Sequence, residues 1–333
     1  MNALPQTTIA RPVSRTAVVR LLSAALLALC ASGVARSQSP VGLLNIVVPF
    51  PAGGVTDLAA RALADKLGPA LGRSVVIENR PGGGSRIGTE AVIKAPADGN
   101  TLLFTNTSYA ILPVVDPAVR FRADSSLAPV GLLASYGLTI VVANGVPAHT
   151  LPELIAHARR NPGKLSYGSS GPGSGAHFAG EFFKALTGTY LVHIPYRSTS
   201  AALNDVAGGA LDLTFDATAK AYVEAGKVRA LAVTASQRDP RMPGVPTAAE
   251  AGLKEFVLAS WVGLLAPAGS PPAAIERLNA ALNKVLADPG LRSRLQDLGL
   301  KPEGGSSERM QDQIRRDDAL YRRIASEAKL RFE

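Results

Sequence analysis

Two glycine-rich loops hold the residue types in this chain best suited to chemistry. The first reads Pro49-Phe-Pro-Ala-Gly-Gly-Val-Thr-Asp57 and the second Ser169-Ser-Gly-Pro-Gly-Ser-Gly-Ala-His177. Each leads into an expected helix, whose unpaired backbone N–H groups and positive dipole end make a place for an anion. In the first loop Gly53 and Gly54 permit close backbone approach and Thr56 adds a hydroxyl. In the second, Ser169, Ser170, Ser174 and the His177 imidazole stand beside further N–H groups. Neither loop carries a lysine, which suits a carboxylate better than a triphosphate. Taken singly, each reads more simply as a tight turn with capping residues. As a pair facing one another across a cleft they form one binding site.

The surrounding pattern supplies such a cleft. From residue 44 the chain reads strand (45–48), glycine-rich turn, helix (58–71, with Thr56 as N-cap) and strand (74–77), a βαβ unit. Further strands are expected at 101–105 and 138–143. The same grammar restarts at residue 164, with a strand at 165–167, the second loop, a helix at 176–186 and a strand at 191–194. A helix at 200–207 and a strand at 211–215 follow. Strands at 230–234 and 260–265 lead to a helix at 273–286, and an amphipathic, charge-rich helix closes the chain over 307–330. Two α/β units of one design imply two lobes.

Other chemistries fit poorly. The sequence Gly171-Pro-Gly-Ser-Gly-Ala176 matches the dinucleotide pattern G-x-G-x-x-A, but Pro172 stiffens the turn and the strand ending near Ile194 carries no acid for a ribose. There is no phosphate-binding G-x-x-x-x-G-K-[ST] and no G-x-S-x-G nucleophile elbow. The histidines are His149, His157, His177 and His193, without an H-E-x-x-H pair, so no metal is expected. His193 reads as a packed or edge histidine. Ser174 and His177 as nucleophile and base would need a third, orienting group that the sequence does not nominate. No cofactor is expected.

Of 333 residues, 47% are hydrophobic and 18% charged, enough apolar content for a large core or two smaller ones. Residues 1–37 differ from the rest. Arg11, Arg15 and Arg20 precede an apolar run over 21–29, and Ala35-Arg36-Ser37 offers small residues for cleavage, the pattern of a secretory signal peptide cut near Ser37. The single cysteine, Cys30, lies in this leader, so the mature chain would be free of thiols, which suits an oxidising compartment. The formal charge of +9 includes Arg11, Arg15, Arg20 and Arg36 of the leader. The remaining bases are interleaved with acids, as in Arg315-Arg316-Asp317-Asp318, which argues against nucleic acid as a partner. No later apolar stretch is long enough for a membrane span.

Eight stretches, in order, carry a family resemblance: PFPAGGVTD (49–57), ENRPGGG (78–84) with IGT (87–89), ADGNTLLFT (97–105), SSGPGSGAHFAGE (169–181), HIPYRS (193–198), RALAVTASQR (229–238), PGVPTAAEAGL (243–253) and WVGLLAPAGSP (261–271). The chain resembles the Bug family of extracytoplasmic solute receptors, the substrate-binding proteins of tripartite tricarboxylate transporters. The resemblance implies a type II periplasmic-binding-protein fold, two α/β lobes joined by two hinge-crossing strands near 139–143 and 260–265. Lobe 1 would comprise 38–139 and 265–333, and lobe 2 140–264. It also implies a periplasmic, non-enzymatic protein that closes on a small carboxylate or related amide and serves an inner-membrane permease. A sensor kinase as docking partner and an enzyme using the glycine-rich loops stay open as alternatives. By motif, Phe50, Ala52, Gly53, Gly54, Thr56 and Asp57 are ligand-binding candidates in the first lobe, with Asp57 an acceptor for water or an amine. Ser170, Gly173, Ser174 and His177 are candidates in the second, with Asp216 beside them. Ser85-Arg86 replaces the family's usual Gly-Asn, and Ser198 follows Arg197 where Lys-Gly is common. Arg86 could turn inward toward an extra carboxylate or face solvent at the rim.

Overall fold

The computed structural model describes residues 42–330. The expected signal peptide lies outside them. The described chain forms two α/β lobes, each built on its own sheet.

The first sheet has the order β11-β4-β10-β3-β1-β2. Its strands are β1 (Leu44–Val48), β2 (Val75–Asn79), β3 (Thr101–Asn106), β4 (Leu127–Gly137), β10 (Ala259–Pro267) and the short β11 (Lys301–Pro302). The second sheet, β7-β6-β8-β5-β9, uses β5 (Thr139–Ala143), β6 (Ser166–Ser169), β7 (Val192–Pro195), β8 (Leu213–Asp216) and β9 (Val228–Val233). The two sheets share one plan. Three neighbouring strands run parallel, β2-β1-β3 in one and β7-β6-β8 in the other. Next comes an antiparallel strand that has just arrived from the other lobe, β10 beside β3 and β5 beside β8.

Side-chain alternation explains how a central strand serves two helical layers. In β1, Leu44, Ile46 and Val48 enter one apolar cluster while Val47 enters the other. In β10, Val262, Leu264 and Ala266 face the first cluster and Trp261 and Leu265 the second. Helix α1 (Val55–Leu71) places Ala59, Ala60, Leu63 and Leu67 against the sheet and stops at Gly72, whose φ of 62° closes the end. The helix begins earlier than the sequence pattern suggests, with Gly54 as N-cap. Thr56 sits inside the first turn, its hydroxyl accepting a hydrogen bond from Asn106 Nδ2 at 3.2 Å.

The longest strand, β4, was not expected from the sequence, because Pro129, Gly131 and Gly137 interrupt its apolar run. Tertiary pairing rescues it. The register between β4 and β10 slips between Leu264 and Leu265, opposite Gly131 and Pro129, and a bulge of this kind tolerates a residue without an N–H.

Between β4 and β5 only Leu138 intervenes, and the return passes through Leu258 into β10. One buried threonine holds both passages. Thr234 N–H donates to Leu138 O at 2.8 Å and its Oγ1 accepts from Leu138 N–H at 3.0 Å. The same hydroxyl donates to Leu258 O at 2.7 Å, while Thr234 O accepts from Leu258 N–H at 2.9 Å. The segment 139–143 lies wholly in the second sheet and 260–265 wholly in the first. The residues preceding those two strands pass between the sheets, and the chain re-enters the first sheet at Ala259.

The terminal helix α10 (Ser307–Glu327) fastens this region from outside. Asp317 Oδ2 accepts from the Trp261 indole N–H at 2.6 Å, and Tyr321 meets Phe178 of the second lobe edge-on at 4.9 Å.

Candidate functional site

Asp57 organises the first loop. Its Oδ2 accepts from Gly53 N–H at 2.9 Å and Arg61 Nε at 3.0 Å, and its Oδ1 from Asn79 Nδ2 at 2.9 Å and Arg61 Nη2 at 3.0 Å. Asn79 also donates to Phe50 O at 3.0 Å. Burial alone would raise the Asp57 carboxyl's pKa, but these bonds hold it below the usual carboxylate range. With both oxygens committed, Asp57 is the brace of the loop. Gly53, at φ 84°, supplies the turn that only glycine adopts easily.

The second loop is braced by two histidines. His177 Nδ1 accepts from Gly173 N–H at 3.3 Å, so that nitrogen is unprotonated. The ring stacks on His193 at 4.2 Å between centroids, and His193 Nε2 is 2.7 Å from Ser169 Oγ. Burial, with His193 and Lys184 nearby, pushes the His177 pKa down to about 3, which keeps the ring neutral. Ser174 caps helix α5 (Gly175–Thr187), accepting from His177 N–H at 3.2 Å. Tyr167 also stacks on His193, at 4.9 Å between centroids.

Between the loops lies a cavity of about 70 Å³. Four helix beginnings reach it, two from each lobe. Gly54, Val55 and Thr56 open α1, and Thr107 and Ser108 open α3 (Ser108–Val115). Gly175 and Ala176 open α5, and Ser198 and Thr199 open α6 (Thr199–Gly208), where Ser198 Oγ accepts from Ala201 N–H at 3.1 Å. First-turn N–H groups have no acceptor within their own helix, so this wall is rich in donors and carries positive potential. Asn106, Tyr136 and Ser260 complete the floor, with Thr107 Oγ1 and Ser260 Oγ 3.2 Å apart. Burial lifts the Tyr136 pKa to about 12, against bonds to Ser260 and Asn106 that lower it, so this hydroxyl stays protonated. Among the described residues no Asp or Glu lines the cavity, and the charged side chain that does is Arg197.

Of the residues nominated from sequence, Phe50, Gly54, Thr56 and Ser170 line the cavity. Ala52, Gly53 and Asp57 lie in the turn behind the first wall, and Gly173, Ser174 and His177 hold the second loop in shape. Asp216, at the end of β8, is buried. Burial raises its pKa against bonds from Thr218 and Thr199, and its Oδ1 accepts from Thr218 N–H at 2.6 Å. Arg86 does not turn inward. Its Nη1 lies 3.6 Å from Asp116 Oδ2, and the residue is absent from the cavity wall. Sequence reasoning missed Asn106, Thr107, Ser108, Tyr136, Arg197, Ser198, Thr199 and Ser260. The polar triplet 106–108 directly after a strand, and the Ser-Thr pair before a helix, were available signals of two more helix starts.

The lobes meet tightly around this cavity. Gly84 and Gly173 mark the contact: a Cβ on Gly84 would lie 2.0 Å from Pro172 O, and one on Gly173 2.4 Å from Leu112 Cδ2.

Two lobes closed over a donor-rich cavity at a pair of strand crossings define the class of type II solute-binding receptors. The model for the tripartite tricarboxylate transporter family receptor matches residues 59–328. Protein BugT of Bordetella pertussis is 35% identical over 277 residues, covering 81% of this chain and 85% of BugT. Among solved structures, the periplasmic binding protein BugD superposes with a TM-score of 0.83 at 32% identity, over 88% of this chain and 100% of BugD. MatC of Rhodopseudomonas palustris, solved with bound malate, gives 0.82 at 30% identity, over 86% of this chain and 99% of MatC. The chain belongs to the tripartite tricarboxylate transporter receptor family, the Bug receptors.

Proposed function

We propose that this chain captures a small carboxylate in the periplasm by closure of its two lobes and delivers it to an inner-membrane permease of the tripartite tricarboxylate type. The observation that carries this reading is the convergence of four helix N-termini, two from each lobe, on a cavity without an acidic wall residue. An anion that touches donors from both lobes binds the closed form better than the open one, and that difference in affinity is what shifts the population. Malate bound to a relative supports a carboxylate as the ligand class.

The hinge in this reading lies at Leu138 and Leu258, so that residues 42–137 and 259–330 move against 139–257. Asp57, Ser174, His177 and Gly173 shape the two walls, while Phe50, Gly54, Thr56 and Ser170 meet the ligand. The protein makes and breaks no bond, and residues 1–37 direct its export. Among the described residues no helix is long and apolar enough to cross a membrane.

Thermal unfolding of residues 38–333, freed of copurified ligand by unfolding and refolding, tests the reading against a panel of aliphatic and aromatic carboxylates. A ligand at a hundred times its dissociation constant adds about 2.7 kcal/mol, or a rise of roughly 2–4 °C per kcal/mol in Tm. Selective shifts with a few carboxylates are expected, and silence across the panel with natively refolded protein would refute it.

A further inference from the structure

We infer that Arg197 sets the charge requirement of the cavity at its second-lobe end, making the receptor selective for ligands with a carboxylate at both ends over those ending in a neutral group. The inference rests on the carboxylate reading above and adds to it the number of charges the ligand must carry.

Arg197 lies in the turn between β7 and α6, directly before the cap residue Ser198, and it is the charged side chain among the residues lining the cavity. The arginines of the first lobe nearest the cleft are neutralised by their own acids. Arg61 pairs with Asp57, Arg80 with Glu78 at 2.6 Å, and Arg86 with Asp116. Arg197 has no such partner among the described residues. The acids of its neighbourhood are engaged elsewhere: Asp205 Oδ2 accepts from the Tyr196 hydroxyl at 2.7 Å, and Asp216 accepts from Thr218.

The turn that carries the guanidinium is also fixed in place. Tyr196 N–H donates to Ser169 O at 2.8 Å, its hydroxyl is held by Asp205, and its ring lies over Gly168, where an added Cβ would come 3.3 Å from Tyr196 Cε2. Tyr196 is therefore a positioning residue, and Arg197 projects from a braced backbone. The first-lobe wall offers only neutral donors, sufficient for one carboxylate. A second carboxylate meets a cation with a planar fork of N–H groups, whereas an amide or methyl terminus does not.

Isothermal titration of wild type, Arg197→Gln and Arg197→Lys at low salt with succinate, glutarate and adipate, each against its mono-amide, tests the inference. Wild type is expected to favour the diacid by roughly tenfold or more at each chain length it binds. Arg197→Gln should bring the two within about threefold by weakening the diacid more than the mono-amide, with the unfolding temperature unchanged because the side chain is exposed. Arg197→Lys should retain part of the preference, since the charge persists without the fork. An Arg197→Gln protein that keeps the wild-type preference, or a wild type that binds diacid and mono-amide alike, overturns this inference and leaves the carboxylate reading intact. A wild type that binds none of the six overturns this inference, and the wider carboxylate panel then decides the reading on which it rests.

Discussion

Adding one methyl group at Gly84 should hold the lobes apart. Gly84 follows β2 in the first lobe, and an alanine there would place its Cβ 2.0 Å from the carbonyl oxygen of Pro172 in the second-lobe loop. Carbon and oxygen come no closer than about 3.3 Å even in weak C–H···O contacts, so the two surfaces must separate by roughly 1.3 Å. The obstacle is backbone on the Pro172 side, and no rotamer change relieves it. Overpacking of this kind costs about 1–3 kcal/mol. Because the cost falls on the closed form, it weakens ligand binding by roughly 5- to 150-fold. The substitution also introduces strain, since Gly84 sits at φ 62°, and that part falls on open and closed forms alike. Gly72 separates the two effects, for it has the same φ of 62° and nothing within 4 Å of an added Cβ. Isothermal titration with the tightest carboxylate should show Gly72→Ala binding as wild type does and Gly84→Ala binding at least fivefold more weakly. Ligand-free unfolding should show similar losses of stability in both. Equal affinities for the two variants would refute the claim that contact between Gly84 and Pro172 limits closure.

Ser85 adopts φ 96°, and its buried hydroxyl has no hydrogen-bond partner among the described residues, so Ser85→Gly should raise stability by about 1 kcal/mol in urea unfolding. A loss of stability would show that the hydroxyl is needed. Burial pushes the Asp317 pKa up to about 6 despite hydrogen bonds from Trp261 and Gln313. Between about pH 4 and pH 6 the folded protein therefore holds a proton that the unfolded chain has released, and stability falls as pH rises through that window. Asp317→Asn removes this dependence. The stability of the variant relative to wild type should grow by up to about 3 kcal/mol from pH 4 to pH 7, and a constant difference across that range would refute it.

Which parts of this protein could be read before folding follows from where the information sits. Local pattern sufficed for the two βα units. The β-branched run of β1, the apolar spacing through α1 and the glycine loops are decided by neighbours in sequence, and so they appear in it. Strand β4 was hidden because Pro129 and Gly131 are tolerated at a register slip against β10 and Gly137 at the strand's last position, pairings that local sequence does not reveal. Thr234 gives no sign in the sequence of fastening both crossings, since its partners Leu138 and Leu258 are joined to it only by the tertiary course of the chain.

The site divides along the same line. The sequence by itself determined the fold class, the family and two of the helix starts that reach the cavity, because loop chemistry and helix capping act within a few residues. Only the tertiary structure decided that α3 and α6 join them, that Asp57 and His177 brace the loops from behind, and that Arg86 is spent on Asp116 while Arg197 has no acidic partner among the described residues. The reason is physical: the charge and burial of a side chain depend on what lies across the cleft, and residues far apart in sequence supply that surface.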